Sequence, residues 1–292
     1  MMSPRPTTAL PSRLGVLAAA ALFSTGGAAI KACGLTGWQV ASFRSGIAAL
    51  LLLALVPDAR RGWNRITLAV AAAYASTVLL FVLANKLTIA ANVIYLQSTA
   101  PLYLILLSPW LLGERVRRAD LPLMGALLFG LILLLGQNYD STAIAANPAL
   151  GNALATASGV SWSLTIVGLR LKSRGQDSRS DVGLAPVALG NLLAFVIGLP
   201  WALPVRAARP VDWAVLGYLG LVQIGVAYIF LTRSLRRVRA IEASALLLLE
   251  PLLNPLWAWL MQGERPGPWT VLGGGIILLS TFIHQAHGSM KR

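Results

Sequence analysis

The chain has 292 residues, of which 57% are hydrophobic and 12% charged, with a mean hydropathy of +0.71 and a formal net charge of +14. That much apolar surface exceeds what one soluble core can bury, so a soluble globular domain is excluded. One cysteine, Cys33, and two histidines near the C-terminus, His284 and His287, exclude an internal disulfide, a cysteine-built metal site and a histidine-centred site inside the apolar stretches.

Residues 1–13 are polar, and an apolar stretch follows at 14–30. A cleaved signal peptide has a similar outline, and Ile30-Lys31-Ala32-Cys33 imitates a lipoprotein cleavage box. Lysine is unfavourable in such a box, so the stretch reads as a first, uncleaved helix. Further apolar spans run over 38–56, 66–84, 90–112 and 120–136. After a polar link, five more run over 149–169, 183–203, 212–232, 240–261 and 268–286. Each is close to the roughly 20 residues that cross a bilayer as a helix. The expected fold is an all-α integral membrane protein of ten transmembrane helices. Its halves are 1–136 and 148–292, joined by a linker at 137–147.

One stretch occurs twice. At an offset of 150 residues, Pro101 coincides with Pro251, Gly113-Glu114-Arg115 with Gly263-Glu264-Arg265, and Gly125 with Gly275. This is an internal duplication. Because five is odd, the second five helices enter from the opposite side, which makes the repeats inverted. The loops agree. Arg115, Arg117 and Arg118 crowd the first Gly-Glu-Arg turn, whereas the second keeps only Arg265. Assigning both termini to the cytoplasm puts 18 lysines and arginines on that side against 5 on the other. The basic residues therefore set topology. They form no solvated basic face, and nucleic-acid binding is excluded. No Walker loop is present, which argues against ATP-driven pumping by this chain alone.

The twin proline and Gly-Glu-Arg blocks, Arg44 early in the second span and Trp162 in the sixth resemble the drug/metabolite transporter superfamily, in its ten-helix EamA-type branch. The resemblance covers about residues 14–286. Within that branch the chain is similar to amino-acid exporters, including those for aromatic amino acids. What the resemblance implies is a central cavity between two five-helix halves, small organic solutes as substrates, no ATP and no cofactor. The fourth and ninth helices would stand near the middle, with the fifth and tenth as a scaffold behind. Many members carry an acid before the proline in both repeats; here Ala100 stands opposite Glu250, which puts a symmetric acidic pair in doubt.

The candidate site residues are polar or aromatic groups deep in the spans, where facing lipid is costly. In the third span Tyr74, Val78, Phe81 and Asn85 share one helix face. Asn92, Tyr95, Gln97 and Ser98 precede the proline of the fourth, Trp162 lies deep in the sixth, Gln223 and Tyr228 in the eighth, and Ser244 opens the ninth. Some of these serve only to join helices, as serine and threonine often do. Glu250 is the one carboxylate deep in a span. It is read either as a proton-coupling site or as a structural acid steadying the kink. Pro101 and Pro251 each free a backbone carbonyl four residues earlier, as gating hinges or as static kinks. Arg44 is expected near the external face in a structural role, snorkelling or binding carbonyls of a neighbouring helix. Glu114 and Glu264 are expected to pair within their own turns, and the glycines of the fifth and tenth spans to serve packing.

Together these readings describe a carrier in the inner cell membrane, monomeric or weakly dimeric, exporting amino acids or related metabolites by alternating access. A carrier of sugar derivatives or drugs is the alternative, and a lipid-modifying enzyme a more distant one.

Overall fold

The computed structural model describes residues 9–114, 116, 118–135, 145–174, 184–235, 238, 243 and 246–290. Of the expected features, Ser244, the side chain of His287, most of the linker and the arginines at 115 and 117 lie outside these residues.

The described residues form an all-helical bundle without strands. The first span is α1 (Ala9–Ser24) with α2 (Gly26–Ala32), the second α3 (Gly37–Leu55), and the third α4 (Arg65–Leu87). The fourth is α5 (Ala90–Gln97) with α6 (Ala100–Leu111), and the fifth α7 (Leu121–Leu135). In the second half, α8 (Pro148–Arg174) and α9 (Leu184–Ala202) form the sixth and seventh. The eighth joins α10 (Pro210–Gly217), a π-helical segment Tyr218–Val226 and α11 (Ala227–Leu235). The ninth is α12 (Leu249–Gln262) and the tenth α13 (Pro268–Met290). Eight of these ten segments are long and apolar enough to cross a membrane. The helix α7 has 15 residues and α12 has 14.

The bundle is polar within and greasy without. Leu50, Trp110, Leu252, Leu260 and Leu279 are exposed on its surface, whereas Ser42, Thr77, Asn85, Asn92, Asn152 and Asn191 are buried. That distribution suits hydrocarbon as the solvent.

Packing follows a pseudo-two-fold exchange of each span with the one five later. The third span packs along the sixth as the eighth packs along the first. The third meets the seventh as the eighth meets the second, and the fourth lies on the sixth as the ninth lies on the first. Spans two and seven pair with each other, as do five and ten. In the last pair Gly130 and Gly273 let the backbones of α7 and α13 touch: a Cβ on either would lie within 3.0 Å of the other's carbonyl oxygen.

The fourth and ninth spans break at equivalent points. Pro101 has no N–H for the Gln97 carbonyl, and the hydroxyls of Ser98 and Thr99 turn back to Ile94 O and Leu96 O (2.7 and 2.6 Å). The helix therefore stops at Gln97 and restarts at Ala100. In the second repeat the interruption falls at Leu248, three residues before Pro251. The first span is also broken, where one continuous helix was expected. Ser24 and Thr25 donate to Ala21 O and Leu22 O (both 2.7 Å), competing with the backbone just before Gly26-Gly27.

Both Gly-Glu-Arg turns end the preceding helix on a left-handed glycine. The N–H of Glu114 donates to Ser108 O (3.2 Å) and that of Glu264 to Ala258 O (3.3 Å), each bridging six residues. This closure needs a left-handed residue, supplied by Gly113 (φ 65°) and Gly263 (φ 69°).

Glu264 reaches away from its own turn. Glu264 is buried, binds Lys31 at 2.7 Å, and accepts the N–H of Ala90 at the start of α5 (2.8 Å). Glu114 reaches Arg170 at 3.3 Å, with both side chains about half exposed. Removing one partner of a buried pair strands the other charge and costs roughly 3–5 kcal/mol, whereas a solvated pair contributes about 0–1 kcal/mol. Glu264→Ala is therefore expected to lower the melting temperature of the purified protein far more than Glu114→Ala. Comparable shifts from the two would contradict this account of the turns.

Candidate functional site

A cavity of about 180 Å³ lies where the two repeats meet. Its walls come from both halves. Along α4, Tyr74, Thr77, Val78 and Phe81 face it at i, i+3, i+4 and i+7, one side of a helix. From the eighth span Ile224, Tyr228 and Leu231 follow the same period, and Gln223, inside the π-helical segment, joins them. Such widened turns often occur at functional positions. Phe23, Gln97 and Trp162 close the sides, and Leu247 with Glu250 come from the ninth span.

The aromatic rings brace one another. Phe23 meets Tyr228 edge-on at 5.1 Å, and Tyr228 meets Tyr74 at 6.0 Å and 73°. Asn191 orients Tyr74 by donating to its hydroxyl (3.4 Å) and to Val187 O (2.9 Å). Gln97 stands at the last turn before the break in the fourth span. Its Nε2 donates to Ser158 Oγ (2.8 Å), and that hydroxyl donates to Thr77 O (3.1 Å). This relay ties spans three, four and six at the cavity wall. Gly159 lets α8 come this close, since a Cβ there would press on the carbonyls of Leu96 and Gln97 at 3.1 and 3.3 Å.

Arg44 corrects the expectation of a snorkelling residue. A capping box between Thr36 and Gln39 fixes the start of α3 (3.1 and 3.3 Å). Seven residues on, about 10 Å deeper at 1.5 Å per residue, the Arg44 side chain lines the cavity and is only 3% exposed. Its Nε has no hydrogen-bond partner, and no carboxylate pairs with it among the described residues. Its electrostatic neighbours are the Tyr74 and Tyr228 hydroxyls. Gln223 is also buried; its Nε2 donates to Phe23 O (3.3 Å), which leaves its Oε1 unpartnered. Tyr228 interacts electrostatically with both Glu250 and Arg44.

Of the residues expected at the site, Tyr74, Val78, Gln97, Trp162, Gln223, Tyr228 and Glu250 surround the cavity. Three others do not line it. Asn92 accepts from Thr270 (3.0 Å) and donates to Asn152 (3.2 Å), tying spans four, six and ten. The Tyr95 ring packs against Gly274 of α13, where an added Cβ would come within 2.4 Å. Ser98 spends its hydroxyl on its own helix. Pro101 and Pro251 also stand outside the lining. Asn85 continues the face of α4 but donates to Phe81 O (2.9 Å). Sequence reasoning did not assign Phe23, Arg44, Thr77, Ile224, Leu231 or Leu247 to the site. Two of these had a signal: Thr77 lies i+3 from Tyr74, and Arg44 has no acid within a turn of its own helix. The apolar four had none.

Beyond the cavity, one end of the bundle is laced shut. Trp257 donates to Ser24 Oγ (2.9 Å), Gln262 to Ala28 O (2.9 Å), and Lys31 meets Glu264. These contacts follow the seam between spans one and nine. Asp212 accepts the N–H of Gly34 (2.7 Å) and pairs with Arg209 (3.0 Å), which fixes the next connection at that end. At the opposite end Glu114 pairs with Arg170 and His284 with Asp120 across the halves.

Residues 11–136 and 149–284 each match the EamA-like transporter family. No curated protein sequence matches the chain. A solved crystal structure superposes with a TM-score of 0.61 at 19% identity, covering 92% of this chain and 94% of its own, which shows a shared fold. The matched segments take in both halves of the bundle and the cavity between them, and the chain belongs to the EamA-like transporter family, multi-pass membrane proteins that carry small solutes.

Proposed function

We propose that this carrier exports amino acids, aromatic ones included, or closely related metabolites across the inner cell membrane by alternating access, with both termini in the cytoplasm. One observation carries the substrate class: among the described residues the cavity combines aromatic walls with a few separated polar groups and only two charged ones, Arg44 and Glu250. Apolar contact and stacking with Phe81 and Trp162 hold a side chain, and the polar groups hold a compact polar head. A volume of about 180 Å³ is below the roughly 300–1,000 Å³ of sites for drug-sized ligands. A bulky multidrug substrate therefore fits less well than a single small metabolite. The excess of basic residues in the assigned cytoplasmic loops supports the orientation.

Alternating access requires the laced end to open and the other to close in turn. The breaks ahead of Pro101 and Pro251 are the hinges in this reading, because interrupted helices bend there without losing further backbone hydrogen bonds. Glu250 is assigned the coupling proton, as the acid facing the cavity.

Proteoliposomes preloaded with unlabelled solute test the substrate class by counterflow. Labelled amino acids should accumulate faster than labelled sugars, and the reverse order would replace this reading with a sugar carrier. Glu250→Gln should abolish stimulation of transport by an imposed pH gradient; gradient-driven flux at the wild-type rate would remove Glu250 from coupling. With Cys33 replaced by Ser, cysteines at positions 31 and 264 joined by a short cross-linker should stop net transport, and cleavage of the linker should restore it. Full transport by the cross-linked protein would show that this end does not open.

A further inference from the structure

We infer that Arg44 holds the carboxylate of the transported solute, while Gln223 and Glu250 receive its ammonium group, so that the cavity selects zwitterions. This rests on the reading of the cavity as the site of an amino-acid carrier and deepens it.

An arginine in the middle of a membrane costs roughly 2.5–3.5 kcal/mol on insertion scales, and buried arginines are ordinarily paired. Arg44 is 3% exposed, faces the cavity, keeps an unpartnered Nε, and has no carboxylate beside it among the described residues. Its planar fork of donors matches a carboxylate in two parallel bonds, a geometry that a lysine or an amide does not reproduce. Tyr74 and Tyr228, its electrostatic neighbours, are uncharged and do not neutralise it. The missing anion is therefore supplied by what enters the cavity.

The other unmet groups are of the complementary kind. Gln223 uses its amide nitrogen on Phe23 O, which turns the unpartnered Oε1 into a pure acceptor. Glu250 lines the same cavity as Arg44, without an ion-pair partner among the described residues. One unsatisfied cationic donor set and two unsatisfied acceptors fit a solute carrying a carboxylate and an ammonium group. A simple carboxylate would leave Glu250 bare, and a simple amine would leave Arg44 bare. Leaving one buried charge without its partner is the larger penalty, and it is what gives such a site its selectivity.

The test is competition against labelled L-phenylalanine binding to the purified protein in detergent, which avoids leakage of neutral analogues through membranes. L-phenylalaninamide lacks the carboxylate charge, and N-acetyl-L-phenylalanine lacks the ammonium. Each should compete roughly 10–100-fold more weakly than L-phenylalanine itself. In Arg44→Gln the affinity for L-phenylalanine should fall to that for the amide, while the affinity for the amide changes little. Should that variant fail to fold, the analogue series on the wild-type protein decides alone. Equal competition by the amide would overturn the role of Arg44 and leave the carrier reading standing. Absence of amino-acid binding, with a labelled neutral sugar bound instead, would overturn both.

Discussion

A chain surrounded by hydrocarbon must satisfy its polar groups from within, and this requirement orders the whole molecule. Asn92, Asn152 and Thr270 meet it by bonding across three spans. The Gly-Glu-Arg turns meet it by folding back on a left-handed glycine, and Glu264 by taking both a lysine and a helix N-terminus. Against that background the exceptions carry information. Among buried side-chain atoms, Arg44 Nε and Gln223 Oε1 remain unmatched where the two halves enclose empty space. In a membrane protein such groups are tolerated where they line a cavity, and here they describe what the cavity receives.

The duplication supplies the frame and its imperfections supply direction. Equivalent breaks, equivalent glycine caps and exchangeable packing partners make the halves nearly interchangeable. At the cavity they are not. Ala100 in one repeat faces Glu250 in the other, and the straight α4 is matched by an eighth span with a π-helical turn. The closing contacts differ in the same way, since one glutamate is buried in its ion pair and the other stands in solvent. A carrier with identical halves would treat the two sides of a membrane alike. Here the lining has a polarity, with Arg44 from the first half and Glu250 from the second.

The breaks in spans one, four and nine bear on motion. Each falls at or beside the cavity, where Phe23, Gln97 and Leu247 form part of the wall. In the proposed alternating access, rocking of the outer part of a span about such a break would change access to the cavity without dragging the central wall along. The Gln97–Ser158–Thr77 relay holds that wall together across three spans. The laced seam of spans one and nine is by contrast made of contacts that can part as a unit.

By itself the sequence determined the solvent, the number of spans, the duplication and the turns, because these follow from local composition and from spacing along one helix. Runs of apolar residues announce a bilayer, and a repeated Pro and Gly-Glu-Arg block announces two copies. The face of α4 bearing Tyr74 and Val78 was legible for the same reason, being a period within one element. What only the tertiary structure decided is which polar residues meet. Asn92, Tyr95 and Ser98 look like site residues along the chain, yet packing turned them to the tenth span or back to their own helix. Arg44 looked peripheral from its place early in the second span, yet it is buried where α3 packs on α9 and the eighth span. Glu264 found Lys31 more than two hundred residues away rather than the arginine beside it. Rotation of a helix about its axis is set by neighbours on other parts of the chain, and a pattern along one helix carries no record of them.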